Sequence, residues 1–240
     1  MTEEPVLSAT DVTKTYDGVT ALDSVSLDVP ADAVTGLVGP NGSGKTTLLR
    51  LLLGIERPTF GTVEYHGPGA SRQFGYLPQR PTFRSGFTVR ETVGFYAALV
   101  DDDPVCLLER VGLGSVASRR VSGLSGGMRR LLGIAQALAG DPPVVVLDEP
   151  ASGLDHAMGE RVFELIESIA DEGRAVVLIS HALPSVERVA DRLAVLDSGR
   201  LVTTDTTEGL RDRTGGPLNE TLTSMLDRES AVITISGGNR

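Results

Sequence analysis

Gly39-Pro40-Asn41-Gly42-Ser43-Gly44-Lys45-Thr46 is the stretch that decides the reading of this chain. Ala33-Val34-Thr35-Gly36-Leu37-Val38 precedes it, and Thr47-Leu48-Leu49-Arg50-Leu51-Leu52-Leu53 follows. The motif fits G-x-x-x-x-G-K-[ST] at every fixed position. The run before it is short and β-prone. The run after it reads as a buried helix that Gly54 stops. A strand, a Gly-rich loop and a helix in that order turn several backbone N–H groups toward one point, and the helix N-terminus adds its positive dipole end. Phosphate groups fit there. Lys45 would reach the β- and γ-phosphates of ATP, with the Thr46 hydroxyl on Mg²⁺.

Such a loop needs an acidic partner for the metal, usually at the end of a neighbouring apolar strand. Val144-Val145-Val146-Leu147-Asp148-Glu149 supplies it. Asp148 is placed to orient the metal's ligand shell, and Glu149, one residue on, to act as general base toward an attacking water. Outward from these two anchors, Ala175 to Ile179 is another apolar strand, with helices at 157–172 and 184–191. Leu193–Leu196 and Leu201–Thr203 flank Asp197-Ser198-Gly199-Arg200, a hairpin signal. Residues 21–29 alternate as a half-exposed strand does, and 61–66 and 73–77 read as strands. From Thr88 to about Gly140 the pattern is helical: Thr88 with Glu91 forms a capping box, and Asp103-Pro104 and Ser125 start further helices.

Apolar strands alternating with helices imply a parallel sheet covered on both faces. The expected fold is therefore α/β: a P-loop NTPase doubly wound core, an antiparallel β portion near the N-terminus and an inserted helical subdomain at about 80–140. The domain is expected over 6–210, with 211–240 a partly disordered tail that frays at 236–240.

Composition narrows the function. Apolar residues are 40% of the 240, which suits a globular chain, and no apolar run approaches the roughly 20 residues of a membrane span. The acidic start lacks signal-peptide regions, so a cytoplasmic location is expected, with any membrane contact made through a partner. The net charge of −10 argues against a nucleic-acid partner. The single cysteine, Cys106, excludes an internal disulfide, and its apolar setting reads as helix core.

With these residues in view, a resemblance stands out. Leu124-Ser125-Gly126-Gly127-Met128, placed before Asp148, resembles the signature motif of ATP-binding cassette proteins. Tyr16 matches the aromatic that stacks on adenine, Gln79 in Tyr76-Leu77-Pro78-Gln79 the glutamine of the Q-loop, Ser152-Gly153-Leu154-Asp155 the D-loop, and His181 the switch histidine. The pattern runs along about residues 6–210. The resemblance implies a nucleotide site of Tyr16, Gly39, Pro40, Asn41, Gly42, Ser43, Gly44, Lys45, Thr46 and Thr47, completed by Ser125, Gly126, Gly127 and Asp155 of a second copy or related ATPase bound head-to-tail. It implies Mg²⁺ on Thr46, Gln79 and Asp148, catalysis by Glu149 and His181, and a membrane permease as partner. The subunit would then be peripheral on the inner face of the cell membrane. Met128 stands where glutamine is commonest, and His156 follows Asp155 where proline is usual. The run from Met128 to Ala135 resembles that of ABC-2 exporters. The alternative is a soluble cassette ATPase, for instance in iron–sulfur assembly. One P-loop disfavours the tandem translation-factor type, and the lack of a long coiled-coil insertion disfavours the DNA-repair type. An intact Glu149 and His181 disfavour a sensor without turnover.

The remaining candidates have bland readings. His66 and His156 show no ligand spacing and are expected as exposed or packed histidines. Arg80, Arg84 and Arg90, like Arg119 and Arg120, suit a solvated face or the groove that receives a permease helix. Lysine is confined to Lys14 and Lys45 beside 20 arginines, while acidic stretches such as Asp101-Asp102-Asp103, Asp171-Glu172 and Asp197 read as exposed. The acidic excess suits a salt-loving source; the alternative is a GC-rich genome that favours arginine codons, which accounts for the missing lysines but not for the acid. Because the Debye length falls from ~10 Å at 0.1 M to ~3 Å at 1 M salt, self-repulsion weakens in brine. The melting temperature should accordingly rise between dilute buffer and molar potassium chloride; a flat or falling one leaves codon bias alone.

Overall fold

The structure is a computed structural model that describes residues 4–181 and 183–214. Strands β1 (Leu7–Tyr16), β2 (Val19–Val29) and β4 (Phe60–Tyr65) form an antiparallel sheet in the order β2-β1-β4. A second sheet takes β3 (Val34–Val38), β5 (Phe74–Leu77), β6 (Val144–Asp148), β7 (Ala175–Ile179), β8 (Arg192–Asp197) and β9 (Arg200–Thr206) in the order β5-β6-β7-β3-β8-β9. Its pairs are parallel except the β8–β9 hairpin. The helices are α1 (Lys45–Leu52), α2 (Val89–Ala97), α3 (Pro104–Arg110), α4 (Gly126–Leu138), α5 (His156–Asp171), α6 (Leu183–Val189) and α7 (Thr207–Thr214). No described helix is long and apolar enough to cross a membrane.

Period-two alternation sorts the central strands' side chains onto two cores. Val144, Val146, Val177, Ile179, Ala194 and Leu196 face the antiparallel sheet and α1, where they bury Leu48, Leu49, Leu51 and Leu52. Val145, Leu147, Val176, Leu178, Leu193 and Val195 face the other way, onto the buried sides of α4, α5 and α6. The helical insertion joins that second core: Val89 and Val93 of α2 and Leu107 and Leu108 of α3 belong to it. The insertion's helix starts are as expected. Thr88 and Glu91 form the capping box, and Asp103 and Ser125 cap α3 and α4.

Two expectations need correction. Cys106 is not core but exposed, because α3 turns Leu107 and Leu108 inward and leaves the thiol beside Asp103. Asp197 is buried rather than exposed, since it ends the central strand β8. Strand β1 had no clear signal in the sequence. Register shifts between Ala9 and Val12, with Asp11 at φ +48°, break its alternation. Most of the expected tail, 215–240, lies outside the described residues, whereas α7 carries ordered helix to Thr214.

Helix α6 lies so close over β3 that only glycine fits at position 36. A Cβ there would stand 2.4 Å from Val186 Cγ1 and 2.8 Å from Leu193 Cδ2. Gly36→Val should therefore overpack this contact at a cost of about 1–3 kcal/mol. Thermal unfolding should show it as a fall of about 2–4 °C per kcal/mol.

Candidate nucleotide site

Strands β3, β7 and β6 run parallel, so their C-terminal ends reach one edge of the sheet. Ile179 pairs with Leu37 on one side and with Asp148 on the other. That register sets the start of the Gly-rich loop level with Asp148. Beyond this edge opens a cleft of about 500 Å³, lined by Asn41, Gly42, Gly44, Lys45, Thr46, Thr47, Gln79, Asp148 and Glu149. Val19, Thr20, Ala21, Ile179, Ser198 and Gly199 complete its wall.

The loop's shape depends on glycine. Gly39 has φ +153°, and a Cβ on it would fall 2.0 Å from the Leu196 carbonyl oxygen. Gly44 starts α1 with φ +104° and gives no side-chain cap. Helices α2, α3, α4 and α5 are capped by Thr88, Asp103, Ser125 and Asp155. The first-turn N–H groups of α1 thus have no capping side chain and face the cleft, where an anion can accept from them. Lys45 is buried, its ammonium donating to the carbonyls of Gly39 (2.8 Å) and Pro40 (2.7 Å). Burial pushes its pKa down, against the opposing pull of Glu149 and Asp148.

Glu149 turns out of β6 in the left-handed region, φ +52°, which costs a non-glycine residue about 1–2 kcal/mol. Several contacts hold it. Its N–H donates to the Ile179 carbonyl (2.8 Å), and its Oε1 accepts from the His181 N–H (3.0 Å). His181 Nδ1 stands 2.8 Å from the same oxygen, a bond that puts the proton on Nδ1, and Ser180 Oγ lies 3.4 Å from Oε2. Asp148 beside it has its carboxyl pKa raised, first by burial and then by the Glu149 charge.

Other residues of the sequence reading lie elsewhere. Tyr16 is outside the cleft lining, near Thr47; its hydroxyl bonds to Glu56, and the Lys14 ammonium sits 5.0 Å from its ring centre. Gly39, Pro40 and Ser43 shape the loop from behind. Ser125, Gly126, Gly127 and Asp155 do not line this cleft at all. Ser125 accepts from the Met128 N–H (3.2 Å) and Asp155 from the Met158 N–H (3.0 Å). Both stay exposed, at adjacent helix starts, where Met158 packs on Gly127. His66 bonds Ser8, and His156 faces Glu160 from the surface.

Sequence reasoning missed Thr20, Ala21, Ser198 and Gly199. They arrive from two hairpins without a motif, which backbone bonds from Asp23 N–H to Gly199 O and from Gly199 N–H to Ser43 O tie to the loop.

The profile of the ABC transporter family matches residues 22–152. The chain belongs to that family. Among curated relatives of this cassette, the Nod factor export ATP-binding protein I of Ralstonia nicotianae is 38% identical over 212 residues, 82% of this chain and 66% of that protein. The methionine import ATP-binding protein MetN of Caulobacter vibrioides is 41% identical over 213 residues, 80% of this chain and 64% of that protein. The cassette thus spans about two thirds of either relative. A solved ATP-binding subunit of an ABC transporter superposes with a TM-score of 0.81 at 26% identity, covering 92% of this chain and 99% of that one. A dimeric bacterial ABC transporter cassette shares the fold, with a TM-score of 0.74 at 24% identity over 84% of this chain and 98% of that one. The chain accordingly has the fold of an ABC transporter cassette.

The cassette's raised Asp148 pKa fixes a sign. In the folded state the ionised carboxylate is disfavoured, so stability is lost as pH rises from the ordinary aspartate range through the raised folded value. Asp148→Asn should therefore melt higher than the parent at pH 7 without nucleotide, and the gap should close below the ordinary aspartate range. Calorimetry across pH checks it; a gap independent of pH would contradict the burial argument.

Proposed function

We propose that this cassette is the ATP-hydrolysing motor subunit of a transporter, with residues 6–210 as its ATP-binding domain. The cassette would work as a head-to-tail pair with a second copy or a related ATPase, on a membrane permease that keeps it at the inner face of the membrane. The carrying observation is the split site: the phosphate cleft holds Lys45, Asp148 and Glu149 but none of Ser125, Gly126, Gly127 or Asp155. Ser125, Gly126 and Asp155 stand exposed, with Gly127 buried beside Met158, and Ser125 and the first amides of α4 present a second anion site outward. A two-fold pair lays each such segment over the partner's cleft and closes both sites. The dimeric fold neighbour is consistent with that arrangement.

In this reading the loop amides and Lys45 hold the ATP phosphates, with Tyr16 beside the base. Thr46, Gln79 and Asp148 suit Mg²⁺: all three offer hard oxygen, with one carboxylate, so phosphate and water supply the remaining ligands. Among the described residues no group of three His, Cys, Asp or Glu side chains forms a separate metal cage. The bound ion supplies charge stabilisation for the phosphates. Glu149 accepts the proton of the attacking water through Oε2, while His181, bonded to Oε1, keeps the carboxylate oriented.

A groove of about 340 Å³ between the Q-loop and α2 favours a transporter over a soluble ATPase. Phe83, Arg84, Phe87, Phe95 and Tyr96 line it, Phe95 and Tyr96 are exposed, and Arg84 stacks on Phe87. An exposed aromatic groove beside Gln79 suits a short amphipathic helix of the permease. Relatives named for export and for import share the cassette, so the permease sets direction and cargo.

Three variants test the scheme together. Glu149→Gln should bind ATP with parent affinity, hydrolyse it about 100-fold slower or less, and accumulate as a dimer. Lys45→Ala should weaken ATP binding by about tenfold or more. Ser125→Arg, added to Glu149→Gln, should abolish the ATP-induced dimer in sedimentation. Parent-rate turnover by Glu149→Gln would remove it as the base, and a surviving dimer would remove the head-to-tail geometry.

A further inference from the structure

Arg130 is one of the few buried charged side chains and has no part in the site as described. It lies on α4, one turn past the Ser125 cap. Its Nη1 donates to the carbonyl oxygen of Gln79 at 2.8 Å and of Pro78 at 3.3 Å. One turn further along α4, Gly133 packs against Leu77 and Pro81; a Cβ there would stand 2.5 Å from Leu77 Cδ1 and 3.4 Å from Pro81 Cβ. The helix that begins with the signature segment thus clamps residues 77–81 from one side, with a cation at the centre of the clamp. Gln79 itself lines the phosphate cleft. Burial pushes the Arg130 pKa down, and the Asp148 and Glu149 charges oppose this, which places the guanidinium within the field of both carboxylates. A buried cation is tolerated where its donors are used and opposite charge is near.

We infer that Arg130 is a positioning residue: by gripping the Gln79 carbonyl it fixes the backbone from which the Gln79 amide reaches the metal, and so ties the signature helix to the chain's own phosphate cleft. The inference rests on the reading of Gln79 as a metal ligand. Groups that orient a ligand from behind change metal affinity by about 10–100-fold when lost. Arg130→Met keeps most of the apolar stem and loses both bonds. Arg130→Lys keeps the charge but not the planar guanidinium whose Nη1 serves both carbonyls.

The test measures affinity for a fluorescent, non-hydrolysable ATP analogue, with EDTA and with Mg²⁺, in the parent, Arg130→Met, Arg130→Lys, Gln79→Ala and the double variants. The expected result is an unchanged affinity in EDTA, with the gain from Mg²⁺ reduced about tenfold in Arg130→Met and less in Arg130→Lys. In the Gln79→Ala background neither change at Arg130 should matter further. If Gln79→Ala loses the Mg²⁺ gain and Arg130→Met keeps it, the inference falls and the metal assignment stands. If Gln79→Ala keeps the gain, the metal assignment falls and takes the inference with it. Equal losses with and without Mg²⁺ would reduce Arg130 to a structural residue. Should Arg130→Met not fold, Arg130→Lys carries the same comparison: its smaller loss must vanish in the Gln79→Ala background.

Discussion

The parallel ladder that joins β3, β7 and β6 is the constraint on which the rest depends. Leu37, Ile179 and Asp148 sit at one level across three strands. Shifting either register by one residue would turn the buried valines and leucines toward the wrong core. It would also lift Asp148 away from the loop that follows Val38. The packing that stabilises the sheet and the geometry that serves the phosphates are thus the same set of bonds. The ladder reaches further through Glu149, whose N–H takes the Ile179 carbonyl next in line. With that bond made, the chain is committed to a left-handed turn, and the carboxylate swings toward His181 rather than back along the strand.

Charge is arranged with similar economy. Two carboxylates in sequence, Asp148 and Glu149, share a mostly buried corner with Lys45, and Arg130 adds its field from behind. Each of these groups alone would lose hydration on burial without recompense. Together they leave a net demand for positive charge on the Asp148 side and for negative charge at the α1 amides. A metal-bound phosphate, as proposed for this cleft, would answer both demands at once.

Much of this was legible in the residues. The loop from Gly39 to Thr46, the apolar strand ending in Asp148 and the capped helix starts at Thr88, Asp103 and Ser125 each carry their physics locally, so short windows sufficed. The failures share one cause: they depend on what lies far off in the chain. Strand β1 hides because bulges at Asp11 break its alternation, and only its neighbours β2 and β4 impose the strand. Asp197 looks like a hairpin charge until β9 and the core enclose it. Ser198, Gly199 and Thr20 reach the cleft because the two sheets abut, which no motif near them announces. The groove beside α2 was foreseen only as a cluster of arginines; its aromatic lining emerges when Phe83 and Phe87 meet Phe95 and Tyr96 in space.

The outward-facing thiol of Cys106 gives the molecule an unplanned advantage as an object of spectroscopy. It is the only sulfhydryl in the 240 residues and sits at the surface of α3, within the helical insertion and away from the phosphate cleft. A maleimide dye or spin label would therefore attach at a single address without any prior removal of cysteines. The hydrogen bond to Asp103, and that residue's charge, hold the thiol pKa up, so labelling quickens as the buffer is made alkaline. A reporter fixed there rides on the helices that carry the signature segment, and tilting of that insertion relative to the sheet would register as a change in its distance or mobility.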